Sequence, residues 1–252
     1  MRGRTPPAAI ARQLRQEAGF GCAVCGCPII EYHHIIEWRE EKHFKPEHMV
    51  ALCPSHHTEY GKLPKTKSYS AKANPINIRK GKISGYLGGN REQRVLRLGS
   101  MIVEDCVSAI DYGGNSIIGY QQIDGEFRLN VFIPDEEFWP EVEIKQNIMA
   151  ASIGQFWDIE FKTNWVKFRR AKGNVFLTID FRGEEVEIDG ELQLGGNLIS
   201  LSEAQNRMGG GTFKNIQMRN CHTALAIGPD GRVFRPNYAM RSPQAWYLPR
   251  KA

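Results

Sequence analysis

Most of the cysteines and histidines in this chain lie in one short segment. Four of the six cysteines and six of the seven histidines fall between residues 22 and 57. Clustered cysteines often form disulfides in secreted proteins, but the many histidines beside them indicate metal ligation instead. Thiolate and imidazole together form a donor set that suits zinc.

Two pairs of residues in this segment have the spacing of zinc ligands. Cys22 and Cys25 form a C-x-x-C pair, and Cys53 and His56 repeat the same spacing. Together they give a closed Cys3His set, with no coordination position left for a substrate. The sequence therefore predicts a structural zinc site.

A neighbouring residue offers an alternative ligand within each pair. Cys27 could replace Cys25, and His57 could replace His56. In either case the metal has a folding role, because the first sixty residues can bury little apolar surface and segments of this size commonly need a metal. We expect removal of the zinc to unfold this module.

A second group of residues lies between and beside the zinc pairs. The sequence reads EYHHIIEW from Glu31 and HMVALCPSHH from His48. This arrangement resembles the HNH endonuclease family, in which two strands and a helix present a residue pair on the first strand and a final histidine on the helix. The resemblance covers residues 10 to 62, about a quarter of the chain.

The resemblance implies a role for each histidine of this group. His34 matches the general base, while His33 and His57 match the ligands of a catalytic Mg²⁺ or Mn²⁺ ion. Imidazole titrates near neutral pH, so His34 can accept a proton from water at little cost. A cation offsets the charge that builds up on a phosphate during hydrolysis. The implied activity is metal-dependent hydrolysis of phosphodiester bonds in DNA.

One residue departs from the family pattern. His48 stands where the family has an asparagine that braces the loop holding the base. The N–H of a histidine could make a similar hydrogen bond, or the ring could join the metal, so His48 is retained as a catalytic candidate. His43, in the loop before it, is expected to be an ordinary surface residue.

The segment before the first zinc pair predicts a helix. Prolines precede Ala8–Ala18, which is rich in helix formers, and Gly19 follows as a C-cap. Arg12 and Arg15 lie on one face of this helix. They are candidates, with Arg39 after the first strand, for contact with the backbone of a nucleic acid.

The charge distribution suggests how the chain is organised. Residues 61 to 100 contain ten Lys and Arg against a single acidic residue, whereas the charges before and after are nearly balanced. The sequence therefore predicts an HNH nuclease module over residues 1–62, a basic linker over 63–98 and a β-rich accessory domain over 99–252. The accessory domain would serve recognition, regulation or oligomerisation.

The accessory domain has the pattern of β-strands. Apolar residues alternate over 127–133 and 175–181, as in half-buried strands. Turns are predicted where Gly follows Asp or Arg, at 124–125, 182–183, 189–190 and 230–231. The expected fold class is α+β, with a zinc-supported ββα-metal module followed by a mainly antiparallel β domain. Cys106 and Cys221, in this domain, are expected to be buried thiols.

Partners and compartment follow from composition and from the implied activity. No stretch approaches the ~20 apolar residues that span a bilayer, and the first residues lack the apolar core of a signal peptide, so a cytoplasmic protein without membrane contact is expected. DNA is the expected partner, and RNA remains open because phosphate contacts do not distinguish the two polymers. One active site cuts one strand, so a homodimer is a candidate assembly for cutting both strands.

Two other functions fit the same residues. The zinc-supported module could bind nucleic acid without cutting it. Alternatively, the β domain could sense a ligand and switch the nuclease on, as would suit defence or restriction. Cleavage of DNA distinguishes the first from the nuclease, and a ligand-dependent cleavage rate distinguishes the second.

Overall fold

The computed structural model describes residues 4–88, 93–135, 137, 139–194, 196–208, 211–228 and 233–234. Strands make up 47% of the described residues and helices 17%. The chain is therefore mostly β, and the α+β class expected from the sequence is wrong. The reason is that the α-helices are short and end by residue 80, whereas the alternating apolar pattern produces strands throughout the longer remainder.

The α-helices occur early in the chain, and the described residues also contain two 3₁₀ turns, at Pro46–His48 and Ile153–Gln155. The α-helices are α1 (Ala8–Glu17), α2 (Pro54–Tyr60), α3 (Lys65–Ala73) and α4 (Ile76–Lys80). The helix expected before the first zinc pair is confirmed as α1, and Gly19 follows it with the positive φ of a helix terminus. Helices α3 and α4 lie in the segment expected to be a basic linker.

Strands account for nearly half of the described residues. They are β1 (Glu31–His34), β2 (Met49–Leu52), β3 (Lys82–Tyr86), β4 (Val95–Leu98), β5 (Met101–Glu104), β6 (Ser108–Tyr112), β7 (Asn115–Ile123), β8 (Glu126–Pro134), β9 (Pro140–Lys145), β10 (Ile148–Ser152), β11 (Asp158–Lys162), β12 (Trp165–Ala171), β13 (Asn174–Asp180), β14 (Val186–Leu194), β15 (Asn197–Leu201), β16 (Asn206–Met208), β17 (Gly211–Phe213), β18 (Gln217–Arg219), β19 (Thr223–Ile227) and β20 (Val233–Phe234).

By their contacts the described residues form two compact units. The first contains the residues up to 85 together with 150–163 and 168–173, and the second contains the rest. In the first unit, β1 and β2 form an antiparallel pair in which His33 lies opposite Val50. Helix α1 packs against β11, so the chain returns to the first unit long after it has left it.

The second unit is built from sheets. One has the strand order β20-β19-β6-β7-β8-β9, and another runs β13-β14-β15-β16-β17. Strand β4 lies between β14 and β5, and β5 also pairs with β18. Pairs of strands adjacent in sequence are antiparallel, whereas β4 with β14, β5 with β18 and β6 with β19 are parallel. Parallel neighbours require long connections, so these three pairs join distant parts of the chain.

The alternating pattern places side chains as expected. All four apolar residues of β8 that the pattern selects are buried, and so are Leu177, Ile179 and Phe181. Val175 is only half-buried, near the start of its strand. Sequence periodicity therefore identified the inward faces of both strands.

The turn signals have mixed outcomes. Turns at 124–125, between β7 and β8, and at 182–183, between β13 and β14, are confirmed. The turn expected at 189–190 is wrong, because both residues lie within β14. A Cβ on Gly190 would lie 2.2 Å from the carbonyl oxygen of Phe176, so the glycine permits a close approach between strands. Residues 230–231 lie outside the described residues.

Within the described parts of the chain, no helix combines the length and apolar character needed to cross a membrane.

Candidate functional site

The four predicted zinc ligands converge in the first unit. Their ligand atoms, from Cys22, Cys25, Cys53 and His56, all lie within 4.8 Å of one another. The Sγ atoms of Cys25 and Cys53 are 3.8 Å apart, and Nδ1 of His56 lies 3.2 Å from Sγ of Cys53 and 3.5 Å from Sγ of Cys22. The edges of a tetrahedral zinc site are about 3.5 to 3.8 Å long, as its bond lengths require. The cluster could hold a metal such as zinc.

The ionisation of the thiols also suits a cation. Although burial opposes it, backbone N–H groups lower the pKa of the Cys22 thiol. Burial raises the pKa of Cys25 to about 12, and the hydrogen bond with Cys22 and the charge of that thiol act in the same direction. Without a cation, the sulfurs therefore do not all carry charge at neutral pH, and a divalent ion would compensate the repulsion between thiolates.

Local structure explains why the ligand pairs meet. Cys53 is the N-cap of α2 and His56 lies within the first turn, so both face the same point. Gly26, with a φ of 82°, turns the first pair, and its N–H donates to the carbonyl of Cys22 at 2.8 Å. The buried amide of Asn77 donates to the carbonyl of Gly26 at 3.2 Å. Helix α4 thus fixes the backbone of the first pair.

Cys27 is not part of the cluster. Its thiol donates to the carbonyl of Ile29 at 3.7 Å, and burial raises its pKa. His57 also points elsewhere, because successive helix residues differ by about 100°. The geometry therefore selects Cys25 and His56 within the two pairs.

Beside the cluster lies an open cleft with a volume of about 840 Å³. Its walls come from the residues before α1, from β1 and the loop after it, from α2, and from the start of α3. The lining includes His33, His34 and His57, the three histidines that the resemblance places at a catalytic centre. It also includes Arg4 and Lys65, which the sequence did not single out.

His33 and His57 form one pair in this cleft. Their ring centroids are 5.2 Å apart and the rings are nearly perpendicular. A metal–nitrogen bond is about 2 Å long, so this separation of the rings is compatible with a shared ion. Burial, with the neighbouring histidines, lowers the pKa of His33 to about 4, which keeps this ring neutral and able to ligate. The Glu31 carboxylate lies 3.4 Å from Nδ1 of His57.

His34 is held by the loop that follows β1. Its Nε2–H donates to the backbone carbonyl of His43 at 3.2 Å, and its ring packs edge-on against Trp38 and His43. Burial lowers its pKa, although the hydrogen bond to His43 opposes the shift. The ring is therefore neutral at neutral pH. Since Nε2 carries the donated hydrogen, Nδ1 has the free lone pair.

The expectation that His43 is a surface residue is wrong. Its side chain is only 5% exposed. Its Nδ1 accepts the backbone N–H of Lys45 at 3.1 Å, so Nε2 carries the hydrogen and donates to the carbonyl of Ile36 at 3.0 Å. The imidazole thus joins the two ends of the loop whose carbonyl holds His34. Polar residues in loops are usually exposed, so the sequence around His43 does not indicate that this residue is buried.

His48 takes a different position from the other candidates. Its backbone carbonyl accepts the N–H of Ile35, and Nδ1 of its ring lies 2.8 Å from the hydroxyl of Tyr69 on α3. The ring is not among the described side chains that line the cleft. The structure therefore associates His48 with the support of β1 rather than with the cleft.

The three candidate arginines have different surroundings. Arg15 forms a paired contact with Asp158 on β11, at 2.7 and 2.9 Å, and donates to the hydroxyl of Tyr32 at 2.8 Å. Its side chain is 13% exposed, so it braces the first unit and is not free to bind phosphate. Arg12 stacks over Trp157 at 4.2 Å. Only Arg39 lines the cleft, 80% exposed and paired with Glu37.

Within the described residues, the Cys3His cluster is the only group of three or more ligand side chains that converge on one point. Comparison with protein-family models, with curated proteins and with solved structures finds no match for this chain. What can be inferred about function therefore depends on the cluster and on the histidine-lined cleft beside it.

Proposed function

We propose that this protein is a metal-dependent endonuclease of the HNH type that hydrolyses phosphodiester bonds in DNA. The observation that carries the proposal is that His33, His34 and His57 line one open cleft directly beside the Cys3His cluster. A neutral imidazole with a free lone pair and two further histidines able to ligate a cation are the groups that such hydrolysis needs.

In this proposal the metal of the cluster has a structural role. Cys53 is the N-cap of α2, and His56 lies in this helix next to His57, while Cys22 and Cys25 lie in the segment before β1. A zinc ion held by the two pairs would fix α2 against the β1–β2 pair. The cluster is closed, so it supports the cleft without binding substrate.

His34 acts as the general base. Its Nε2–H is committed to the carbonyl of His43, and Nδ1 is left to accept a proton from water. Because its pKa is lowered, the ring is in the basic form at neutral pH. The hydrogen bond also fixes the ring plane, so that the orientation of the lone pair is set before substrate arrives.

His33 and His57 would hold a divalent cation such as Mg²⁺ or Mn²⁺. The ion would supply positive charge to the phosphate during hydrolysis. Glu31, within 3.4 Å of Nδ1 of His57, orients this ring and favours ligation through Nε2. Arg4, Arg39 and Lys65 add cationic side chains along the cleft, which attract a phosphate backbone of any sequence.

The test is cleavage of supercoiled plasmid by the purified, zinc-loaded protein. We expect nicked product with Mg²⁺ or Mn²⁺ present and none when the ion is omitted. The ion is omitted rather than chelated, so that the structural zinc stays bound. Plasmid that is bound but never nicked under either condition would contradict the nuclease and favour the binding module. Single-stranded RNA in a parallel reaction tests the choice of polymer.

His43 gives a further prediction, because its side chain holds the loop that positions the base. We expect His43→Ala to lower the maximal nicking rate by about 10- to 100-fold, as is usual when a supporting hydrogen bond is lost, with little change in DNA affinity. His43→Gln, whose amide can donate to Ile36, should recover part of the rate. The exposed Lys42 lies in the same loop, and Lys42→Ala is the matched control. Equal nicking rates in wild type and His43→Ala would show that His43 does not position the base.

A further inference from the structure

Two distant segments of the second unit run side by side with identical offsets. Strand β5 pairs in parallel with β18, and β6 pairs in parallel with β19, and in both ladders the paired residues differ by 115 positions. The segment that connects β5 to β6 therefore lies beside the segment that connects β18 to β19, with the same offset of 115 residues. Residue 106 lies beside residue 221.

The two connections also share sequence and backbone shape. The sequence reads EDCVSA from Glu104 and RNCHTA from Arg219. In each, the residue before the cysteine has a left-handed backbone, with φ of 51° at Asp105 and 52° at Asn220. Glu104 and Arg219 form an ion pair at 2.7 Å. These matching kinks turn both cysteines the same way.

Cys106 and Cys221 meet at the centre of this arrangement. Their Sγ atoms are 2.7 Å apart, and the side chains are 4% and 6% exposed. The backbone is hydrogen-bonded on both sides of the pair, from Asn220 to Glu104 at 3.1 Å and from Ser108 to His222 at 2.9 Å. The prediction that both residues are buried thiols is confirmed. Their juxtaposition was not foreseen.

The surroundings favour different protonation states in the two thiols. A hydrogen bond from Cys221 lowers the pKa of Cys106, and the same contact raises the pKa of Cys221. Cys106 is thus the better nucleophile, and Cys221 keeps its proton. Val107, directly after Cys106, is 60% exposed, so the chain next to the pair reaches the surface.

We propose that Cys106 and Cys221 are a site of reversible disulfide formation, with a small peroxide as the oxidant. The sulfur of Cys106 attacks one peroxide oxygen, the O–O bond breaks, and a sulfenic acid and water form. The sulfur of Cys221 then attacks the sulfenic sulfur, its proton goes to the departing hydroxide, and a second water leaves. Two thiols lose two electrons and two protons, and one hydrogen peroxide becomes two waters.

The bond would close a ring between residues that are 115 positions apart. Closing a long loop restricts the unfolded chain strongly, while the paired strands already hold the two connections together in the folded chain. Oxidation is therefore expected to raise the thermal midpoint of the second unit. The effect does not depend on nuclease activity.

The experiment exposes full-length, zinc-loaded protein to hydrogen peroxide, alkylates the remaining thiols under denaturing conditions and maps the peptides by mass spectrometry. We expect a peptide pair crosslinked through Cys106 and Cys221 that dithiothreitol separates, and a rise of roughly 5 to 15 °C in the melting midpoint. Cys27→Ser, which removes a partly exposed thiol outside both sites, should behave like wild type. Cys106→Ser and Cys221→Ser should each lose the crosslink and the rise.

Two outcomes would overturn the proposal. One is that both peptides are recovered alkylated at peroxide exposures that modify Cys27. The other is that Cys106 or Cys221 is recovered as a sulfinic or sulfonic acid without a crosslink, which would show that the second thiol does not capture the first oxidation product.

Discussion

Replacement of His34 by alanine is expected to lower the rate of plasmid nicking by about 100- to 10,000-fold, the usual contribution of a positioned general base. The variant keeps His33 and His57, the pair that would hold the catalytic ion, and it keeps the cationic side chains of the cleft. We therefore expect its DNA affinity and its zinc content to equal those of wild type. The measurement is the maximal nicking rate with Mg²⁺ or Mn²⁺, with binding measured separately.

Two further readouts separate loss of the base from loss of structure. The alanine variant should melt within a few degrees of wild type, because the His34 ring is only half-buried and makes one hydrogen bond. Added imidazole should restore part of the rate, since a small base can occupy the space that the ring vacates. Nicking by the variant at the wild-type rate would show that His34 is not the base.

Loss of the metal from the Cys3His cluster is the second large effect expected. The core beneath the cluster is small, with Ile35, Val50 and Leu52 as its main buried aliphatic side chains. Binding of a structural zinc contributes on the order of 10 kcal/mol to the folding of small zinc modules. We expect zinc-free protein, or Cys53→Ala, to be cleaved by protease between residues 20 and 60, where the zinc-loaded wild type resists.

A matched pair of variants tests which thiols bind the metal. Cys25→Ala should lose bound zinc and resistance to protease, whereas Cys27→Ala should bind one zinc per chain as wild type does. Zinc content by elemental analysis is the direct measurement. Loss of zinc from Cys27→Ala with retention by Cys25→Ala would reverse the assignment that the distances support.

The sequence by itself determined the parts that depend on near neighbours. The four residues of the Cys3His cluster were identified because the members of each pair are separated by only two residues, and a turn or the first turn of a helix brings such residues together. Helix α1 was identified from its flanking prolines and Gly19, and the inward face of β8 from its alternation. Local geometry fixes these features before any long-range contact forms.

The fold class was not determined in this way. The expected α+β class assumed that helices make up a large part of the fold. The helices of the N-terminal module are in fact short, and strands dominate the remainder of the described chain. The sequence pattern also placed a turn at Gly190, which in fact lies within β14 and allows the backbone of Phe176 on β13 to approach closely. A glycine can serve either purpose, and only its neighbour on another strand decides between them.

Tertiary structure alone decided the surroundings of several side chains. Arg15 was expected to face nucleic acid, yet its partner Asp158 lies 143 positions away on β11. His43 was expected in solvent and instead joins the ends of the loop that holds His34. Cys106 lies beside Cys221 because two parallel strand pairs, β5 with β18 and β6 with β19, bring their segments together. In each case the partner comes from a distant or irregular segment, and local periodicity carries no information about which distant residues the folded chain brings together.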